Sequence, residues 1–146
     1  MQYNEYLASI LDDTYCPFCS LSKQEIIEES KHFLVIPARA PYSKDHLLII
    51  PKRHIVLLQE MRSTEMKELL KLIEYWSDSL ASHHEGTSIL LRNGQINGTL
   101  GKSVNHLHVH LIPDCQVGVE NSEFRHYFSN ARYIKEVRRI RSEFLH

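Results

Sequence analysis

His106-Leu107-His108-Val109-His110-Leu111-Ile112-Pro113 alternates imidazoles with apolar side chains and ends in a proline. In an extended strand, side chains two apart share a face, so the three histidines would stand on one side and Leu107, Val109 and Leu111 on the other. On a helix the same residues would fan out by about 100° per step and could not make a shared site. The stretch therefore predicts a strand with a buried apolar face and a chemical face of stacked imidazoles. Imidazole is a poor filler for a strand face but suits acid–base, nucleophilic or metal-binding work. A row of three points either to a metal site or to a nucleophile flanked by helpers.

Immediately upstream stands Gly101-Lys102-Ser103. Glycine lets backbone N–H groups approach an oxyanion, and Lys102 and Ser103 can each donate to phosphate oxygens. Joined to the histidines, this turn predicts phosphorus chemistry, in which an imidazole attacks and fixed donors stabilise charged oxygens. Further out, Ser88-Ile89-Leu90-Leu91-Arg92 reads as a strand leading into the asparagine- and glycine-rich loop 93–101. His46-Leu47-Leu48-Ile49-Ile50 is another strand, ended by Pro51 after breaks at Pro37 and Pro41. Glu25–Glu28 and His32–Ile36 form two more, joined by a turn at Glu29-Ser30-Lys31. Residues 64–85 predict the main helix: Met66, Leu69, Leu70, Ile73, Trp76 and Leu80 fall at helical steps, Ser63 or Thr64 can cap it, and Gly86 can end it. A second helix over about 131–145 places Ile134, Val137, Ile140 or Arg141, and Phe144 on one side, and residues 3–11 predict a short one. Strands in hairpin-like order around one long helix predict an α+β domain built on an antiparallel sheet.

At 146 residues the chain predicts a single domain, 1–146, with a core of its own. The formal net charge of −1 excludes a general attraction to nucleic acid or to anionic membrane. Acidic residues gather in 1–31 and basic ones in 131–146, which reads as a solvated helix face. The N-terminal residues do not resemble a signal peptide, and no apolar run approaches the ~20 residues that span a bilayer. Three cysteines, two of them in Cys16-x-x-Cys19, fit a reducing compartment, with the cytoplasm as the default location. The pair is either half of a tetrahedral zinc site or a redox couple. A redox motif usually sits in a βαβ context, which does not precede residue 16; free thiols also stay open beside zinc. Cys115 reads as a reduced thiol, and His83 and His84 as imidazoles suited to a helix C-terminus. His32, His126 and His146 have no partners at recognisable spacing.

The run Gly101–Ile112 resembles the signature of the histidine-triad (HIT) nucleotide hydrolases and transferases, in which three histidines alternate with apolar residues. His46-Leu47-Leu48-Ile49-Ile50-Pro51-Lys52-Arg53-His54 resembles the second landmark strand of that family, and with Cys16 and Cys19 the likeness covers about residues 14–115. Residues 116–146 match no motif of the family and stand as a variable segment. The resemblance implies a five-stranded antiparallel sheet with two helices, paired into a homodimer. It implies that His108 is the nucleophile, attacking an α-phosphorus to form a nucleotidyl-imidazole that water hydrolyses. His110 would stabilise the phosphate or leaving-group oxygen, while His46, Asn93, Gly101, Lys102 and Ser103 would bind substrate. Cys16, Cys19, His54 and His106 match the ligands of a structural zinc in some branches.

Two departures stand out. Lys102 occupies a place where many members have glutamine, which predicts a preference for substrates with an anionic leaving group, such as dinucleoside polyphosphates. Asp45 stands where glycine commonly precedes the landmark histidine. The competing readings are a nucleoside phosphoramidase or nucleotide phosphorylase using the same covalent step, and a zinc-stabilised nucleotide-binding or adaptor module with little turnover.

Overall fold

A computed structural model describes residues 16–96, 102, 104–117 and 125–145. The expected helix over 3–11, and Gly101 and Ser103, lie outside the described residues. The sheet comprises β1 (Glu28–Glu29), β2 (Phe33–Pro37), β3 (Leu47–Pro51), β4 (Thr87–Leu91) and β5 (Val109–Pro113). The five strands run in the order β1-β2-β3-β5-β4, every neighbouring pair antiparallel. Helices α1 (Ser63–Leu80) and α2 (Asn130–Phe144) complete the α+β architecture that the sequence pattern predicts.

Register sorts the strand side chains onto two faces. Val35, Ile49 and Val109 stand in line, as do Leu47 and Leu111. They form the main core with Leu69, Trp76 and Leu80 of α1 and Tyr133, Val137, Ile140 and Phe144 of α2. On the opposite face Ile36, Leu48 and His110 stand in line, with Ile50 further along β3. Ile36, Leu48 and Ile50 carry a smaller cluster closed by Phe18, Leu21 and Ile26. Coverage on both faces explains why β3 is wholly buried and why its sequence is a continuous apolar run rather than an alternating one. Pro37, Pro51 and Pro113 are the last residues of their strands, where a missing N–H does least harm. Pro51 thus closes β3 from within, pairing with Phe33.

Several boundaries differ from the expected ones. The first expected strand, 25–28, shrinks to Glu28–Glu29, because Lys23–Glu25 forms a 3-10 turn. Helix α1 ends at Leu80 rather than near 85: Ser82 Oγ donates to the Ser79 carbonyl, and His84 is drawn off by carboxylates described below. Its first turn is held by Glu65 Oε1, which accepts from the Arg62 N–H, and not by a Ser63 or Thr64 cap. Glu65 is itself buried and forked by Arg53 Nε and Nη2 at 3.0 and 2.8 Å. Met66 and Leu70, expected in the core stripe, face outward, leaving Leu69, Trp76 and Leu80 as the buried seam.

Trp76 is fully buried, and its indole N–H donates to Glu28 Oε1 at 3.2 Å. Trp76→Ala is expected to cost about 3–5 kcal/mol in chemical denaturation, through the cavity it leaves. Leu70→Ala, at an exposed position on the same helix, should stay within about 0.5 kcal/mol of the parent.

Candidate active site and metal cluster

The triad does not lie on one strand face. His106 sits in a bend before β5, and only His110 is inside the strand. The bend is held by backbone: Leu107 N–H donates to Ile55 O at 2.7 Å, and His106 Nε2 lies 2.8 Å from Pro51 O. A carbonyl can only accept, so His106 carries its proton on Nε2 and turns the Nδ1 lone pair the other way. That nitrogen is 3.3 Å from Cys16 Sγ, 3.5 Å from Cys19 Sγ and 3.1 Å from His54 Nδ1. The ligand atoms of Cys16, Cys19, His54 and His106 all fall within 4.8 Å of one another. Tetrahedral coordination at ordinary zinc bond lengths would separate such atoms by about 3.3–3.8 Å, so the four side chains fit a metal ion with little adjustment. Burial, then the neighbouring Cys19, pushes the Cys16 thiol up to about 11, a protonated group unless a cation supplies compensating charge.

His108 is buried, and its Nδ1 lies 2.8 Å from the carbonyl of His106. Its proton is therefore on Nδ1, which makes Nε2 the unprotonated nitrogen. Burial lowers its pKa to about 4, against the opposing hydrogen bond to His106, so the ring is neutral near pH 7. The same backbone thus aims one histidine at the Cys/His cluster and leaves the next with an unprotonated Nε2.

A second relay sets the polarity of His110. The Tyr42 backbone N–H, which can only donate, lies 3.1 Å from His46 Nδ1. Neutral His46 must then hold its proton on Nε2, 2.9 Å from His110 Nδ1. His110 in turn must carry its proton on Nε2. Burial lowers His46 to about 3 and holds His110 well below the ordinary histidine range, so both rings are neutral. Arg92 Nη1 stands 3.3 Å from His110 Nε2. With both rings neutral, the bonded His46–His110 pair can accept at one end only; the shorter Tyr42 contact, 3.1 against 3.3 Å, assigns the acceptor to His46 Nδ1 and leaves the His110 Nε2–H beside the Arg92 donor. An anionic oxygen placed there would accept from both.

The histidines open into a cavity of about 320 Å³ whose walls include Phe18, Leu21, Ile36, Leu48, His46, His108 and His110. Phe18 lies edge-on to both His106 and His108, with ring centroids 5.8 and 5.3 Å away, so the Cys-x-x-Cys knuckle also supplies pocket wall. The far wall comes from Arg39 and from Arg125, Tyr127, Asn130 and Tyr133 of the C-terminal segment. Arg39 is fastened there by Glu25 at 2.8 Å and Asn130 at 2.7 Å, and packs over the Tyr133 ring.

The site residues expected from the sequence are not all gathered at this cavity. His46, His108 and His110 line it, whereas Lys102 and Asn93 serve the loop that precedes the triad. Lys102 is buried, its Nζ donating to Val56 O and Gly94 O at 3.0 and 2.9 Å. Asn93 Oδ1 accepts from the Leu58 N–H, and its Nδ2 donates to Gln59 Oε1. Asn93 is thereby fastened to the segment before α1, and Lys102 to both that segment and Gly94. Arg125, on the cavity wall, acts on His46 and His110, and a second cation beside the triad is Arg92. Its signal in the sequence was strand parity: Leu90 stands opposite His110, so Arg92, two residues on, extends from the same face.

A family model described as the HIT domain matches residues 21–117. The chain is 31% identical over 103 residues to an uncharacterized HIT-like protein of Methanocaldococcus jannaschii, covering 67% of this chain and 78% of that one. It is 30% identical over 102 residues to adenosine 5′-monophosphoramidase of Schizosaccharomyces pombe, covering 67% and 73%. A crystal structure of a Zn-bound histidine triad family protein from Mycobacterium smegmatis superposes with a TM-score of 0.63 at 20% identity, covering 96% of this chain and 91% of the other. The chain with this paired-imidazole pocket belongs to the HIT family.

Proposed function

We propose that the protein is a nucleotide hydrolase or nucleotidyl transferase that works through His108. The observation that carries this reading is the placement of His108 and His110 in one pocket, His108 Nδ1 on the His106 carbonyl and His110 Nδ1 on His46 Nε2, a geometry that we read as an acceptor nitrogen on His108 beside a donor nitrogen on His110. His108 Nε2 attacks the α-phosphorus, forming a P–N bond as the bond to the leaving group breaks. Water then attacks the same phosphorus, releasing a nucleoside monophosphate and restoring the imidazole. His110 and Arg92 stabilise charge on the phosphoryl and leaving oxygens.

His110 is neutral, so it donates a hydrogen bond far more readily than it surrenders a proton. That property, with the Arg92 guanidinium 3.3 Å away, favours a leaving group that departs as an anion. Dinucleoside polyphosphates fit this requirement. A phosphoramidase is the second reading, favoured by the likeness to the fission-yeast enzyme, and its amine leaving group needs a proton from elsewhere. An adaptor with little turnover has no use for an unprotonated His108 facing the pocket.

Zinc suits the Cys16, Cys19, His54 and His106 set, two thiolates and two neutral imidazoles that close a tetrahedron. When bound it would tie the Cys-x-x-Cys knuckle, and with it Phe18, to the bend that presents His108. Its contribution would be structural. A homodimer in the reducing cytoplasm is the proposed working form: β4 is a sheet edge, and Ile89 on it is exposed.

Incubation with a labelled dinucleoside polyphosphate should trap an acid-labile adduct on histidine. His108→Ala should abolish that adduct and lower turnover by at least about 10³-fold. Unchanged hydrolysis by the variant would reject the covalent mechanism. Arg92→Gln should lower kcat/KM about tenfold or more for diadenosine triphosphate, and less for adenosine 5′-monophosphoramidate; equal losses would remove Arg92 from leaving-group selection. Elemental analysis should find about one zinc per chain, lost with a drop in thermal stability on Cys16→Ser.

A further inference from the structure

Away from the triad, four charged groups meet that the proposed reaction does not use. Asp45 lies between β2 and β3, His84 beyond α1, Asp114 just after β5, and Arg139 on α2. Asp45 Oδ2 is 2.7 Å from His84 Nε2, and Asp45 Oδ1 is 2.6 Å from Arg139 Nη2. His84 Nδ1 is 2.8 Å from Asp114 Oδ2, while Asp114 Oδ1 accepts from the backbone N–H groups of Glu85 and Gly86. The Asp45 side chain is only 1% exposed. Carboxylates accept and do not donate, so an imidazole with a carboxylate at each nitrogen must hold both protons. His84 is an imidazolium, as suits the helix C-terminus expected from the sequence, but the two carboxylates hold its charge.

Backbone strain coincides with this cluster. Among the described residues, the non-glycine residues at positive φ are Asp45 at 67° and Asp114 at 49°, and both flank His84. That conformation is natural for glycine and unfavourable for an aspartate unless its carboxylate is held. Asp45 immediately precedes His46, whose Nδ1 takes the Tyr42 N–H. The same short turn is fastened twice more: His46 N–H donates to Ser43 O, and Ser43 Oγ donates to Pro113 O, one residue before Asp114.

We infer that His84 and Asp45 are positioning residues for the catalytic pocket: their ion pair holds Asp45 in the left-handed conformation, and so holds the 42–46 turn that fixes the His46 proton and the polarity of His110. The inference rests on the reading of His110 as the donor to substrate. The ion pair does for Asp45 what the absence of a side chain does for glycine, and it ties that conformation to the charge on His84.

The charge has a defined pH window. Burial disfavours the His84 cation, but the hydrogen bonds to Asp45 and Asp114 outweigh it and raise its pKa above the ordinary 6.5. Burial also opposes ionisation of Asp45, yet His84 and Arg139 hold its pKa below the ordinary 3.8. His84 faces Asp45 and Asp114; Arg139, which completes the Asp45 pairing, is itself flanked by Glu136 and Glu143. The stabilisation from the raised group is complete below pH 6.5 and fades as pH rises through the folded-state value. The stabilisation from Asp45 is complete above pH 3.8 and fades as pH falls through its lowered value. Above the window, a neutral His84 ring can donate to only one of its two carboxylates.

The test is a double-mutant cycle of His84→Gln and Asp45→Gly, with diadenosine triphosphate as substrate and nitrogen-15 NMR of the histidine rings as a second readout. In the native background, His84→Gln should lower kcat about tenfold with KM changed less than about twofold, and should remove the alkaline decline in kcat. In the Asp45→Gly background the same substitution should change kcat less than about twofold, because glycine adopts the turn unaided. NMR should show both His84 nitrogens protonated at pH 7, and the His46 proton on Nε2 in the native protein but divided between the nitrogens after His84→Gln. A neutral His84 at pH 7, or a tenfold loss that persists in the Asp45→Gly background, overturns the inference. The NMR readout needs no turnover, so failure of the substrate assignment would leave the positioning result standing.

Discussion

The hydrogen bond from His106 to the Pro51 carbonyl is the contact on which the rest of the site depends. It puts the His106 proton on Nε2 and leaves Nδ1 for the cysteines and His54. The carbonyl of the same residue then accepts from His108 Nδ1–H, leaving the lone pair on Nε2 of the proposed nucleophile. One residue therefore joins the candidate metal site to His108, with no side chain in between. Because its partner is the end of the wholly buried central strand β3, the anchor is as rigid as the sheet.

Backbone groups govern the other imidazoles in the same way. An amide N–H cannot accept and a carbonyl cannot donate, so each ring bonded to backbone has only one neutral protonation state available. Tyr42 decides His46, and His46 decides His110. Burial reinforces the pattern by keeping all these rings uncharged. In contrast His84, equally enclosed by polar partners, is bracketed by carboxylates and carries charge. The difference between the neutral imidazoles of the pocket and the charged His84 lies in the acceptors around each, not in burial alone.

The C-terminal segment adds a further layer. Arg125, Tyr127, Asn130 and Tyr133 wall the pocket although they fall outside the residues matched by the family model. Tyr133 serves two structures at once, packing in the main core and donating its hydroxyl to Pro37 O at 2.7 Å. The wall of the pocket is thus built into the seating of α2 on the sheet. This arrangement explains how the segment beyond the matched residues shapes the cavity without contributing to the triad.

Much of this was legible in the sequence. The apolar runs of β2, β3 and β5, the prolines at their ends, the helical spacing of Leu69, Trp76 and Leu80, and the histidine alternation each report a local period or a local breaker, and those are properties of neighbouring residues. The grouping of Cys16, Cys19, His54 and His106 was legible only through resemblance, since nothing in their spacing sets the folded distance. What the tertiary structure alone decided was direction. Alternation placed three histidines on one face, but the bend at 104–106 turned His106 away toward the cysteines. Lys102, a cation beside the triad in sequence, turned inward to cap two carbonyls, and Arg92 took the place beside His110. Asp45 and His84 meet across 39 residues to hold a turn that glycine would take freely. A sequence fixes which residues alternate and which break the chain; where a lone pair points is set by backbone groups brought from other strands.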